Sequence, residues 1–127
     1  MEYSAIITSL ALFQLVFFAI NTGRARGKAN IKAPAMTGDP IYERTVRVHM
    51  NSLENAVVFI PALWMFNHYW DPRVGAAVGL IYIAGRFVYM RSYIADPASR
   101  GPGFGISFSS EVFLLAGALI GAVMTII

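Results

Sequence analysis

The run RTVRVHMNSLENAVVF, residues 44–59, puts two arginines, a histidine, two asparagines and a glutamate directly before the apolar stretch IPALWMF. On a helix each residue turns by about 100°, so Arg47, Asn51 and Glu54 fall within roughly 60° of one another, with Arg44 and Asn55 flanking. Further along, Arg86, Tyr89 and Tyr93 recur at i, i+3 and i+7, a second polar stripe. If the two helices run antiparallel, Glu54 lies about eleven residues from one start and Arg86 about nine from the other end. At 1.5 Å per residue those depths agree to within roughly 3 Å. A charge inside a bilayer costs on the order of 3 kcal/mol or more, so it faces a partner or a wet cavity. Two arrangements satisfy that requirement. One is a structural network in which Glu54 pairs with Arg86 while the asparagines bridge helices. The other is a binding site. Arg44, Arg47, Arg91 and Arg100 crowd the same end against few acids. That surplus suits a ligand with several anionic groups and one cation, because the planar fork of arginine matches carboxylates.

The elements that hold these stripes follow from composition. The 127 residues are 57% hydrophobic and only 13% charged, too little charge to cover a soluble domain. Apolar residues gather in four blocks, 4–21, 53–70, 74–95 and 104–127, each near the ~20 residues a helix needs to cross a bilayer. None shows the period-2 alternation of a membrane β-barrel. The expected fold is an all-α integral membrane protein, one domain over 1–127, with helices near 3–22, 43–69, 73–95 and 104–126 in an up-down antiparallel four-helix bundle. Met1-Glu2-Tyr3 offers no basic segment and no cleavage site follows, so the first block reads as a mature helix rather than a signal peptide. Cysteine is absent, which excludes disulfides, thiolate metal sites and a cysteine nucleophile. No metal and no nucleic-acid partner is expected.

Basic residues set the orientation. Arg24, Arg26, Lys28 and Lys32 follow the first block, Arg44 and Arg47 close that loop, and Arg91 and Arg100 mark the third. The loop at 69–73 is nearly neutral. The positive-inside rule therefore expects both termini outside and the polar stripes facing the cytoplasm. The first connection, GRARGKANIKAPAMTGDPIYE, reads as irregular, with Asp39 an N-cap and Pro40 early in the second helix. Trp64, Tyr69 and Trp70 read as anchors at the outer interface. Gly75/Gly79 and Gly117/Gly121 have the GxxxG spacing that brings helices close, within a bundle or between subunits.

The runs Arg47-Val-His-Met-Asn51-Ser-Leu-Glu54, Gly85-Arg86-Phe-Val-Tyr89-Met-Arg-Ser-Tyr93 and Pro97-Ala-Ser-Arg100 resemble the membrane-associated proteins in eicosanoid and glutathione metabolism, the MAPEG superfamily, and within it the microsomal glutathione transferases. The likeness spans essentially the whole chain. It implies a homotrimer binding glutathione between subunits near the cytosolic face, and a lipophilic electrophile arriving from the bilayer. By the same resemblance Arg47, Asn51 and Glu54 are glutathione ligands, with Arg47 on a carboxylate and Glu54 on the γ-glutamyl ammonium. His49 matches a position reaching a neighbouring subunit's glutathione. Tyr89 and Tyr93 match tyrosines lining the site, and Arg86 of the same run is expected with them among the glutathione-binding residues. Arg100 matches the arginine that stabilises the reactive thiolate, with Arg24 or Arg26 a second such cation. Asn55 stands where leukotriene-forming relatives carry tyrosine, which argues against a leukotriene substrate.

The expected activity is glutathione transfer to lipophilic electrophiles, extending to glutathione-dependent reduction of lipid hydroperoxides. One alternative is a non-catalytic membrane scaffold or lipid-binding protein on the same fold. Another is a small multidrug antiporter, which needs a membrane-embedded carboxylate in the first helix. That helix offers only Gln14 at mid-span, and Glu111, early in the fourth, reads as a membrane-border acid that is a structural partner or sits at headgroup level.

Overall fold

The structure, a computed structural model, describes all of residues 1–127. Four long helices run Glu2–Ala29 (α1), Pro40–Tyr69 (α2), Pro72–Ala95 (α3) and Gly101–Ile126 (α4). A single 3-10 turn, Pro97–Ser99, joins α3 to α4. By length and composition α1, α3 and α4 can cross a membrane. The α2 helix is long enough at 30 residues, but polar side chains bracket its apolar middle. Asn51, Glu54 and Asn55 lie on one side and Asn67 and His68 on the other, which dilutes its hydropathy.

The first helix runs seven residues past its expected end at 22, so Arg24, Arg26 and Lys28 ride on helix rather than in an irregular loop. Arginine, lysine and alanine favour helix, and cations in the last turn complement the negative end of the helix dipole. Asn30 ends it in the left-handed conformation, φ 56°, with its N–H returned to the last carbonyls. The connection to α2 is then short and tied down. Arg26 Nη1 and the Tyr42 hydroxyl both donate to the Ala35 carbonyl at 3.0 Å, and the Arg26 guanidinium sits 5.1 Å from the Tyr42 ring centre.

Asp39 caps α2 as expected, accepting from Tyr42 N at 2.9 Å with Pro40 in the first turn. The same device starts α3: Asp71 accepts from Arg73 N, with Pro72 next. The hydrogen-bonded Arg73 guanidinium also holds the Asp71 carboxyl below its ordinary pKa.

The α2 helix packs against each of the other three. Its Phe59, Ala62, Leu63 and Phe66 meet Ile7 and Ala11 of α1, Tyr82 of α3 and Leu114 of α4 in the main core, where the Phe59 and Tyr82 rings stack at 3.8 Å. Between helices in lipid the water-driven hydrophobic term is absent, so close packing must supply the attraction. Glycines make it possible. A methyl on Gly79 would lie 2.5 Å from Ile7 Cγ2, one on Gly117 2.6 Å from the Phe66 ring, and one on Gly121 2.5 Å from Tyr69 Cβ. Both GxxxG pairs are thus used within one chain. Outside, Phe13, Val57 and Leu119 are about two-thirds exposed, the inverse of a water-soluble surface.

At the end where α3 finishes and α4 begins, two more glycines draw these helices together. A methyl on Gly85 would lie 2.9 Å from Ser107 N, and one on Gly103 would collide with Tyr89 N. Larger residues at either position would push apart the two walls of the candidate site.

Candidate functional site

Five of the residues singled out from sequence line one hollow of about 350 Å³: Arg47 and Asn51 from α2, Tyr89 and Tyr93 from α3, and Arg100 at the entry to α4. Phe104 completes the wall. Larger hollows exist, an apolar one of about 440 Å³ around Trp64 and Leu115 and one of about 480 Å³ beside Arg24. Chemistry rather than size sets the 350 Å³ hollow apart, since only there do two guanidiniums, an amide and two phenols converge.

Each wall has a local cause. Asn51 presents its side chain inward because Arg86, directly behind it, donates to Asn51 Oδ1 at 2.6 Å. Asn55, one turn on, donates to the Asn51 carbonyl at 2.7 Å. Tyr89 is flanked by the Arg86 guanidinium, 4.4 Å from its ring centre, and by Tyr93, stacked at 5.5 Å. The turn before α4 is set by Asp96, which accepts from Ala98 N, and by the Ser99 hydroxyl, which donates to the Ser92 and Asp96 carbonyls. Those bonds fix where Arg100 emerges. Arg100 itself is exposed and takes part in no ion pair or side-chain hydrogen bond.

Arg86 is placed differently from the other residues of its stripe. It is fully buried beneath the hollow and does not line it. Its partners are neutral oxygens: Ser52 Oγ at 2.9 Å, Ser107 Oγ at 3.1 Å and the Asn51 amide. Sequence alone left open a Glu54–Arg86 pair; the structure forms Arg47–Glu54 instead, at 3.0 Å on the half-exposed outer face of α2. A pair seven residues apart along one helix needs no second element to align it, whereas Arg86 is held by groups from two other helices, α2 and α4. Glu54 therefore lies beside the hollow, linked to it through Arg47. His49 is half-buried and outside it. So are Arg24 and Arg26, the first in a separate groove and the second bound to Ala35.

Ser52, Ser107 and Phe104 escaped the sequence reading. No spacing marks a serine as the partner of an arginine on another helix, although buried serine oxygens are common bridges between membrane helices. Glu111 is 4% exposed inside the bundle, about 15 Å along α4 at 1.5 Å per residue. No group lies within hydrogen-bonding reach of its Oε1.

A bundle of long apolar helices with a basic, tyrosine-walled hollow near the starts of α2 and α4 has the make-up of an integral-membrane protein. The MAPEG family model matches residues 4–120, and the chain belongs to that family. Human microsomal glutathione S-transferase 2 is 36% identical to it over 91% of this chain and 79% of its own. The mouse protein of the same name is 38% identical over 92% and 80%. An uncharacterized protein of Synechocystis sp. is 38% identical over 93% and 86%.

Proposed function

We propose that the chain is a membrane-bound glutathione transferase that uses the 350 Å³ hollow to hold glutathione and attack lipophilic electrophiles. The observation that carries this reading is the convergence of Arg47, Asn51, Tyr89, Tyr93 and the unpaired Arg100 on one cavity in a chain akin to proteins named glutathione S-transferases.

Glutathione has two carboxylates, one ammonium and a thiol. Arg47 takes a carboxylate, Glu54 the ammonium, and Asn51 a peptide group, while Tyr89 and Tyr93 wall the backbone of the tripeptide. Arg86 acts through Asn51 and Tyr89, which it holds in place. Arg100 faces the thiol. A free thiol has a pKa near ~8.5, and an adjacent permanent cation stabilises the thiolate. The proton leaves to water, since a guanidinium cannot accept it. Thiolate sulfur then forms a bond to the electrophilic carbon as that carbon's bond to its leaving group breaks.

In this reading the protein works as a homotrimer, with termini outside and the hollow on the cytoplasmic side. His49 then comes from an adjacent copy, and the end of α1 supplies a second cation. We assign that second cation to Arg26, which Ala35 and Tyr42 already hold in place. The electrophile enters sideways from the bilayer.

The test is conjugation of glutathione to chlorodinitrobenzene by purified protein and by Arg100→Ala. Turnover in the parent and its loss in the variant, with glutathione binding retained, is the expected result. Binding without turnover for any electrophile would reduce the protein to a scaffold.

A further inference from the structure

A second built site lies where α1 and α3 part at the same end of the bundle. These two helices run parallel and stay in contact along a seam. Gln14 Nε2 donates to the Ile83 carbonyl, the Phe17 and Phe87 rings meet edge to face at 6.0 Å, and Asn21 reaches Met90 Sδ. One turn later the seam opens into a groove of about 480 Å³ bounded by α1, the start of α2 and the end of α3.

Its chemistry is divided. Arg24 and Lys28, one turn apart on the same face of α1, supply two cations. Neither enters an ion pair or a side-chain hydrogen bond, whereas Arg26, Arg44, Arg47, Arg73 and Arg86 are all engaged. Ile41 and Ile94 give the opposite side an apolar lining. Asp39 is the single acid at the rim, and it is committed to capping α2 through Tyr42 N.

We infer that this groove is a binding site for an anionic phospholipid. The phosphate sits between Arg24 and Lys28, the glycerol region against Ile94, and one acyl chain runs down the seam over Phe17 and Phe87. Those two rings are 40% and 39% exposed, which leaves them open to a chain. Position selects a lipid over a soluble anion, because Arg24 follows directly on the apolar stretch of α1, at the depth of phospholipid headgroups. Basic pockets between membrane helices on the cytoplasmic side favour acidic lipids. The groove is distinct from the 350 Å³ hollow, and its occupancy is independent of whether the protein conjugates glutathione.

The test is native mass spectrometry of the intact protein in detergent, titrated with phosphatidylglycerol or phosphatidylcholine, for the parent, the R24Q/K28Q double variant and Arg91→Gln. Arg91 is an exposed cation at the same end outside the groove. Phosphatidylglycerol is expected to be retained preferentially by the parent and by Arg91→Gln. At roughly fivefold per cation near a membrane surface, the double variant should lose about 25-fold in that preference. Each single substitution gives an intermediate loss, which guards against a misfolded double variant. Equal retention of the two lipids by the parent, or equal losses in Arg91→Gln and the double variant, overturns the assignment. Displacement of phosphatidylglycerol by millimolar inorganic phosphate would make the groove a free-anion site and overturn it as well.

Discussion

Arg47 and Glu54, two turns apart on α2, close an ion pair of 3.0 Å on the rim of the hollow. Both are about half exposed, so the pair adds little to stability, in the range of ~0–1 kcal/mol. In the proposed reading its worth lies in presentation. A carboxylate and a guanidinium held side by side offer complementary charges to the ammonium and carboxylate of an amino-acid headgroup.

Glu54→Gln should therefore weaken glutathione binding about tenfold while leaving the unfolding temperature almost unchanged, since a half-exposed charged contact contributes on the order of 1 kcal/mol. Isothermal titration beside a thermal melt checks both halves. Unaltered affinity would remove Glu54 from the ligand set.

Arg86 should behave in the opposite sense. Arg86→Met takes the donor from the buried oxygens of Ser52 and Ser107, while Asn51 Oδ1 keeps only Asn55 Nδ2 at 3.2 Å, and at ~1–3 kcal/mol for each unsatisfied group the bundle should lose about 2 kcal/mol or more. Arg86→Lys should rescue little, because one ammonium cannot span three acceptors that a planar fork reaches together. Detergent-solubilised thermal unfolding is the measurement. A lysine variant as stable as the parent would disprove the bridging role.

Arg100→Ala should spare binding and raise the pKa of bound glutathione toward the ordinary thiol value of ~8.5. The sign follows from charge: the cation favours thiolate, so its removal favours thiol, and the rising limb of the activity–pH curve moves to higher pH. Ultraviolet difference spectra of bound thiolate, followed against pH, report it directly. An unchanged curve would assign thiolate stabilisation to another group.

Gly103→Ala and Gly105→Ala form a matched pair. A methyl at 103 collides with the Tyr89 backbone, whereas one at 105 meets nothing within 4 Å. The first should cost ~1–3 kcal/mol by overpacking and lower glutathione affinity as Tyr89 shifts. The second should gain up to about 1 kcal/mol from helix propensity. Equal effects from the two would mean the α3–α4 approach does not shape the site.

Much of this was readable from sequence because it follows helical period. The 47/51/54 and 86/89/93 stripes needed only a turn of about 100° per residue to be seen as faces, and Asp39-Pro40 announces a helix start by its chemistry. What escaped depends on which neighbour wins. Gly23 and Gly27 look like breakers, yet the arginines, alanines and lysine around them carry α1 on to Ala29. Arg86 had an acid at matching depth, yet serines and an asparagine on packed helices enclose it first. Glu111 looked peripheral by its place in the chain, and only the packing of α4 shows it enclosed.

Because hydroxyls and an amide, and no carboxylate, hydrogen-bond to Arg86, its positive charge is dispersed over neutral partners, and the enclosed Glu111 acts on it only through space. The floor beneath Asn51 and Tyr89 therefore keeps an electropositive lean in a medium that screens poorly, and in the proposed reading an incoming anion would be drawn downward before it touches any side chain. A neutral mimic of equal shape would lack that pull, and should arrive more slowly even where it fits as well.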